Sequence, residues 1–283
     1  MRAIGIILAG GNNHRMKELT RKRATCAMPI AGCYRSIDFA LSNMTNSHIN
    51  KVAVLTQYNA GSLNEHLSSS KWWNFGRKQG GLSVFTPTIT ADSNVWYRGT
   101  ADAIAQNLAY LKSSHEPYVV ISSGDCVYKM DYNKVLEYHI DKKADITVVV
   151  KTMPAGFNVE RYGTVRMNED CRIEEFEEKP ISAKSNTISC GIYVVRRRLL
   201  IEMIERCAEE DRYDLVKDVL IRYKDMKNIY GYKMQEYWSN ISSVEDYFTT
   251  NMDFLKPEVR DYFFKQYPDI YSKVDDLPPA KYN

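Results

Sequence analysis

Ile6-Ile7-Leu8-Ala9-Gly10-Gly11-Asn12-Asn13-His14-Arg15 is a short apolar strand that empties into a glycine pair and then into cations. From Arg15 to Arg35, six basic side chains (Arg15, Lys17, Arg21, Lys22, Arg23 and Arg35) face one acid, Glu18. Such a loop suits a bound phosphate. Glycines let backbone N–H groups approach it, and the cations neutralise it. Asn12, Asn13 and His14 are bulkier than a phosphate loop wants, and that contradiction governs the reading of the chain.

Outward from this loop, 283 residues allow one large domain or two small ones. Hydrophobic residues at 44% and charged residues at 26% fit a soluble globular protein with a real core. The net charge is only +3, and the basic cluster is short and not interleaved with aromatics. A nucleic-acid partner is therefore not expected, and a small polyanion suits the loop better. The apolar start, Met1 to Leu8, is too short for a membrane span and lacks a signal-peptide cleavage site. It reads as a buried first strand. Six cysteines show no Cys-x-x-Cys and no histidine at zinc spacing, so they read as reduced thiols of a cytoplasmic protein.

Strand-like runs at Ala3–Leu8, Lys51–Leu55, Tyr118–Ser122, Ile146–Val150 and Ser189–Val195 alternate with helix-like stretches. The helices are expected at Ile37–Thr45, Ala101–Leu111, Tyr132–Lys142 and Leu199–Ala208. The strands are rich in Val and Ile without strict alternation, as in a parallel sheet covered on both faces. The pattern predicts a doubly wound α/β sheet, with ligands beyond the carboxyl ends of its strands. Gly10-Gly11 and Gly124-Asp125 both fall there. Residues 162–180 read as a hairpin forming a lid over the sheet. The last thirty residues, with four prolines, read as a linker.

Several strings converge: Leu8-Ala9-Gly10-Gly11, Arg35 to Asn43, Thr56-Gln57-Tyr58, Trp96-Tyr97-Arg98-Gly99-Thr100-Ala101-Asp102, Gly124-Asp125 and Glu178-Lys179-Pro180. Together they resemble bacterial glucose-1-phosphate adenylyltransferase over nearly the whole chain. The resemblance implies a Rossmann-like α/β nucleotidyltransferase domain with a mixed, mostly parallel sheet over residues 1–250. Residues 251–283 would be a linker towards a C-terminal left-handed β-helix domain, absent from this chain, so the sequence reads as truncated or partial. The family joins ATP to glucose 1-phosphate, giving ADP-glucose and pyrophosphate for glycogen biosynthesis. Its members are oligomers.

By the same resemblance, Leu8, Ala9, Gly10, Gly11, Gly99 and Thr100 fall at nucleotide-binding positions, and Arg15 and Asp125 at catalytic ones. Magnesium is the implied cofactor, held by two aspartates, of which Asp125 matches the first. The second lies in a Trp-Arg-Asp-Val-Gly-Thr string that here reads Trp238-Ser239-Asn240-Ile241-Ser242-Ser243, so Asn240 stands in its place. The family's Arg-Ala-Lys-Pro-Ala is here Arg23-Ala24-Thr25-Cys26-Ala27, which replaces a phosphate-lying lysine by Thr25. In the first loop Asn13 and His14 replace a glycine and a threonine. Asparagine tolerates positive φ, so the turn is expected to survive while its side chain crowds a triphosphate. His14 reads as a space-filling loop residue.

The sugar-phosphate side is better kept: Tyr97, Gly163, Glu178, Lys179 and Ser189 match positions that bind glucose 1-phosphate. Lys22 matches a lysine tied to activator binding, and Gln57 and Tyr97 match loop residues that transmit activation. Losing one preorganised charge typically costs about 10²–10³ in rate. The combined changes therefore point to a regulatory D-type subunit with weakened magnesium binding. It would pair with a catalytic subunit and bind sugar phosphates, with ATP or ADP-glucose as further ligands. The alternatives are a working enzyme in which Asn240 still supports the metal, and a transferase for another base or sugar, against which Trp96 to Asp102 argues.

Overall fold

The computed structural model describes residues 2–76, 80–88 and 96–274. β1 (Ala3–Ala9) ends where the glycine pair begins. A small hairpin, β2 (Pro29–Ile30) and β3 (Tyr34–Arg35), leads into α1 (Ser36–Asn46). Next come β4 (Lys51–Thr56), α2 (Gly61–Leu67) and β5 (Gly81–Phe85). α3 (Thr100–Ala105) and α4 (Leu108–Lys112) precede β6 (Tyr118–Ser123) and β7 (Cys126–Tyr128). They are followed by α5 (Tyr132–Asp141), β8 (Ile146–Thr152), β9 (Gly163–Met167) and β10 (Ile173–Glu178). β11 (Thr187–Arg196), α6 (Arg197–Glu209) and a π-helical stretch (Leu215–Ile221) come after. The chain continues through β12 (Ile229–Lys233), β13 (Trp238–Asn240), α7 (Val244–Asp253) and α8 (Pro257–Phe264).

The main sheet is mixed, in the order β10-β9-β11-β6-β1-β4-β5, with β8 on β11 and β12 on β8. Its centre is parallel: β6, β1, β4 and β5 run the same way. Their carboxyl ends therefore open at one edge, which gathers Gly10, Gln57 and the Ser123–Asp125 turn. β1 shows why its sequence is apolar throughout. Ala3, Ile7 and Ala9 pack into one core with α1 and α5, while Ile4 and Ile6 pack into the opposite core with α3 and α6. Successive side chains point to opposite faces, so a strand covered on both sides needs no polar alternation.

Three expectations change. The hairpin of residues 162–180 is not a lid. β9 and β10 pair antiparallel and extend the sheet itself, β9 bonding to β11 through Thr164 opposite Ile188. The helix expected over Ala101–Leu111 is broken near Asn107, whose amide donates to the Ala103 carbonyl at 2.8 Å and the Tyr97 hydroxyl at 3.0 Å. A side chain that competes for backbone groups ends a helix. Residues 251–274 finish α7, build α8 and pack on the body where a linker was expected. Phe254, Phe263 and Ile270 are buried in a third core with Met16, Phe39, Val127 and Ile241. The stretch Leu277–Asn283 lies outside the described residues.

Candidate active site

Beyond β1, a cavity of about 510 Å³ opens at the carboxyl edge of the parallel strands. That volume lies in the range of small-molecule sites. Leu8, Gly10, Gly11, Gly99 and Thr100 line it, as do Thr25, Gln57, Tyr97 and Asp125. Ala9 does not; it is buried in the core below. Of the two glycines, only Gly10 is held to its small size by a neighbour. A Cβ on Gly10 would press on Gln57 at 3.3 Å, whereas one on Gly11 would meet nothing within 4 Å and would stand in open space. Asn13 is extended at φ −105°, so the turn does not need the positive φ expected of it. Its Oδ1 accepts from the Arg15 backbone N–H at 3.2 Å, and its Nδ2 donates to the Ser242 carbonyl at 2.7 Å. The Arg15 side chain is exposed and does not line the cavity.

Thr25 is buried at the cavity wall, and its hydroxyl has no hydrogen-bond partner. Asp125 is partly buried in the turn after β6. Its Oδ1 accepts from Ser123 Oγ at 2.5 Å and from Asn240 Nδ2 at 3.0 Å. Burial raises its carboxyl above the usual range, and those hydrogen bonds pull the other way. Asn240 reaches it because β13 pairs with β7, placing Asn240 opposite Cys126. The second residue of the expected aspartate pair therefore faces Asp125 with an N–H donor. Among the described residues no group of three or more His, Cys, Asp or Glu could hold a metal ion.

From the string Trp96 to Asp102, the residues Tyr97, Arg98, Gly99 and Thr100 form part of the cavity wall. Arg98 bonds Asp102 through its backbone N–H at 2.8 Å and stacks on Tyr213 with its guanidinium carbon 3.8 Å from the ring centre. Gly99 is needed for close approach: a Cβ there would run into the Tyr213 carbonyl. Thr100 Oγ1 accepts from the Leu215 backbone N–H at 2.9 Å.

Of the sugar-phosphate residues Tyr97 lines this cavity, whereas Gly163, Glu178, Lys179 and Ser189 lie on or beside the neighbouring strands and do not. Gly163 and Glu178 are directly opposite in β9 and β10. A Cβ on Gly163 would come within 2.6 Å of Phe176 and 3.0 Å of Glu178. Lys179 holds Glu178 at 3.2 Å and is left-handed at φ 50°. Ser189 is buried and bonds the Tyr193 hydroxyl at 3.3 Å. Lys22 is remote from both groups, in a shallow depression shared with Glu18, Arg21 and Arg23.

A family model for nucleotidyl transferases matches residues 4–257. The chain is 39% identical over 279 residues to a glucose-1-phosphate adenylyltransferase of Clostridium novyi (strain NT), covering 98% of this chain and 73% of that protein. Proteins of the same name from Lachnospira eligens (strain ATCC 27750 / DSM 3376 / VPI C15-48 / C15-B4) and Bacillus cereus (strain ATCC 10987 / NRS 248) are 38% and 39% identical. Each covers 98% of this chain, which spans 65% and 74% of them. The chain belongs to the glucose-1-phosphate adenylyltransferase family of nucleotidyl transferases.

Within that family frame, sequence reasoning found the cavity's glycines, Asp125 and the Trp96–Asp102 wall, but missed three supports. Tyr213, which carries Arg98 and Gly99, is separated from them by more than a hundred positions, and nothing local marks it. Ser242, the partner of Asn13, contributes only its carbonyl, which no residue type announces. Tyr193 is buried beside Ser189; burial raises its hydroxyl, with the Glu178 carboxylate adding to the effect. No helix among the described residues is long and apolar enough to cross a membrane.

Proposed function

We propose that this chain is a regulatory, catalytically impaired subunit of glucose-1-phosphate adenylyltransferase, serving glycogen biosynthesis beside a catalytic subunit. The observation that carries this reading is the Asn240 amide donating to Asp125 at 3.0 Å, where the family reaction needs two carboxylates to hold a cation. In that reaction a glucose 1-phosphate oxygen attacks the α-phosphorus of ATP, and the developing charge needs cations around the phosphates. Magnesium, when bound in the family, supplies part of that charge. The residues present here do not fit it: one partly buried carboxylate, already bonded by Ser123 and Asn240, is a poor seat for a divalent ion. Thr25 contributes a neutral hydroxyl where an ammonium would lie along the phosphates.

What remains suits binding. Gly10 and Gly11 leave room along the cavity floor, Gln57 and Tyr97 shape one wall, and Lys179 with Glu178 offers a cation and an acceptor for a sugar phosphate. Cytoplasmic placement and an oligomer with the catalytic subunit follow from this role. The test is a steady-state assay of the purified chain with ATP, glucose 1-phosphate and magnesium, alone and mixed with the catalytic subunit. The expected result is negligible turnover alone and an altered effector response in the mixture. Turnover alone within the ordinary enzyme range of about 1–10³ s⁻¹ would establish the working enzyme instead.

A further inference from the structure

We infer that the loop beside the glycine pair and the Asp125 carboxylate are satisfied from within the chain: the carboxamides of Asn13 and Asn240 occupy hydrogen-bonding places that a phosphate oxygen and a cation would take. This deepens the regulatory reading and rests on it. Asn13, which lines the cavity, uses its Oδ1 to accept from the Arg15 N–H at 3.2 Å, engaging a backbone donor that follows the glycine pair. Asn240 Nδ2 supplies Asp125 with an N–H at 3.0 Å, the kind of positive partner that a metal ion would give a carboxylate. One side chain thus plays the anion's part and the other the cation's.

The two contacts are mechanically one. Asn13 Nδ2 donates to the carbonyl of Ser242, two residues beyond Asn240, at 2.7 Å. The intervening Ile241 is fully buried, and its N–H donates to the Asp125 carbonyl at 2.9 Å. Ser242 Oγ donates to Asp246 at 2.5 Å, and Arg161 holds Asp246 at 3.3 Å. The segment from Asn240 to Ser242 therefore fastens the Gly10–Arg15 loop to the Asp125 turn. Neither fastening is available to the residues that the family resemblance places there: glycine has no carboxamide, and an ionised aspartate has no N–H to donate. The two replacements are coupled, because each bonds either the same three-residue segment or the carboxylate which that segment borders. A nucleotide triphosphate entering the cavity meets the Asn13 carboxamide in its lining, and a cation seeking Asp125 must displace that of Asn240.

The test compares the full chain with Asn13→Gly, Asn240→Asp and the double variant, by thermal unfolding and by equilibrium binding of ATP with magnesium. Asn13→Ala is included because it removes the carboxamide while avoiding glycine's added backbone freedom, and circular dichroism checks folding. The expected results are little magnesium-ATP stabilisation of the wild type and a lower unliganded Tm for the double variant. Magnesium-ATP should also bind the double variant at least about tenfold more tightly, the scale of one hydrogen bond to a charged group. Equal Kd values across the folded variants would overturn this occupancy by the two carboxamides while leaving the regulatory role intact. Ordinary turnover by the wild type alone would overturn the regulatory role, whatever the Kd values.

Discussion

Gln57 grips the Tyr97 backbone with both ends of its carboxamide: Oε1 accepts from the Tyr97 N–H at 2.6 Å and Nε2 donates to the Tyr97 carbonyl at 3.2 Å. The side chain imitates a neighbouring strand and fixes the wall that carries Gly99 and Thr100. Gln57→Glu removes the donor and sets a carboxylate against a carbonyl. We expect faster amide exchange at Tyr97 to Gly99 and a loss of about 1–3 kcal/mol, measured by hydrogen exchange and urea unfolding. Unchanged exchange there would show that the wall is held elsewhere.

Asn240→Asp with Thr25→Lys supplies both charges that the family resemblance implies at these two positions. Turnover with ATP, glucose 1-phosphate and magnesium should rise by roughly 10² or more if charge loss dominates. Flat turnover in a folded double variant would assign the defect to the crowded loop at Asn12 to His14.

Gly99 is fixed by its neighbour. Alanine there would force its Cβ into the Tyr213 carbonyl, which also accepts from the Ala101 N–H at 2.8 Å. Gly99→Ala should cost about 1–3 kcal/mol, the scale of overpacking, and should part α3 from the Tyr213 turn. A Tm within one degree of wild type would refute this.

His139 gives the fold a sensitivity to acid. It is buried at 1% exposure, bonded to Thr147 Oγ1 at 2.8 Å, and its Nε2 has no partner. Burial, with Arg196 adding repulsion, lowers its pKa from 6.5 to about 4. The unfolded chain therefore binds the proton first as pH falls. Stability is intact above pH 6.5 and declines towards pH 4, by roughly 3 kcal/mol at most. Unfolding titrations from pH 7.5 to 4 should show this slope in wild type and a shallower one in His139→Gln.

The parallel half of the fold was legible because its strands are apolar on both faces, and the observed β1, β4 and β6 begin where the runs of Ala3, Lys51 and Tyr118 predicted. β5 was not foreseen: Gly81-Leu82-Ser83-Val84-Phe85 is a half-exposed strand that pairs with β4 alone among the described residues, and it shows no continuous apolar run. α7 and α8 escaped for a similar reason. Only Thr250 and Phe263, respectively, are buried in them, and Phe248 and Met252 of α7 remain exposed, so no single stripe repeats. In the site, Asp125 and the glycines were readable from motif and chain position. The Asn13–Ser242 contact was not, because hydrogen bonds to backbone carbonyls leave no trace in residue identity.

Lys129 follows the strand that carries Cys126 to Tyr128, and its ammonium donates to the carbonyls of Tyr262 at 2.9 Å, Phe263 at 3.3 Å and Gln266. The end of α8 is thereby moored four residues from Asp125. A displacement of that helix would reach the aspartate through four residues of backbone, which gives the far side of the domain a short mechanical line into the cavity.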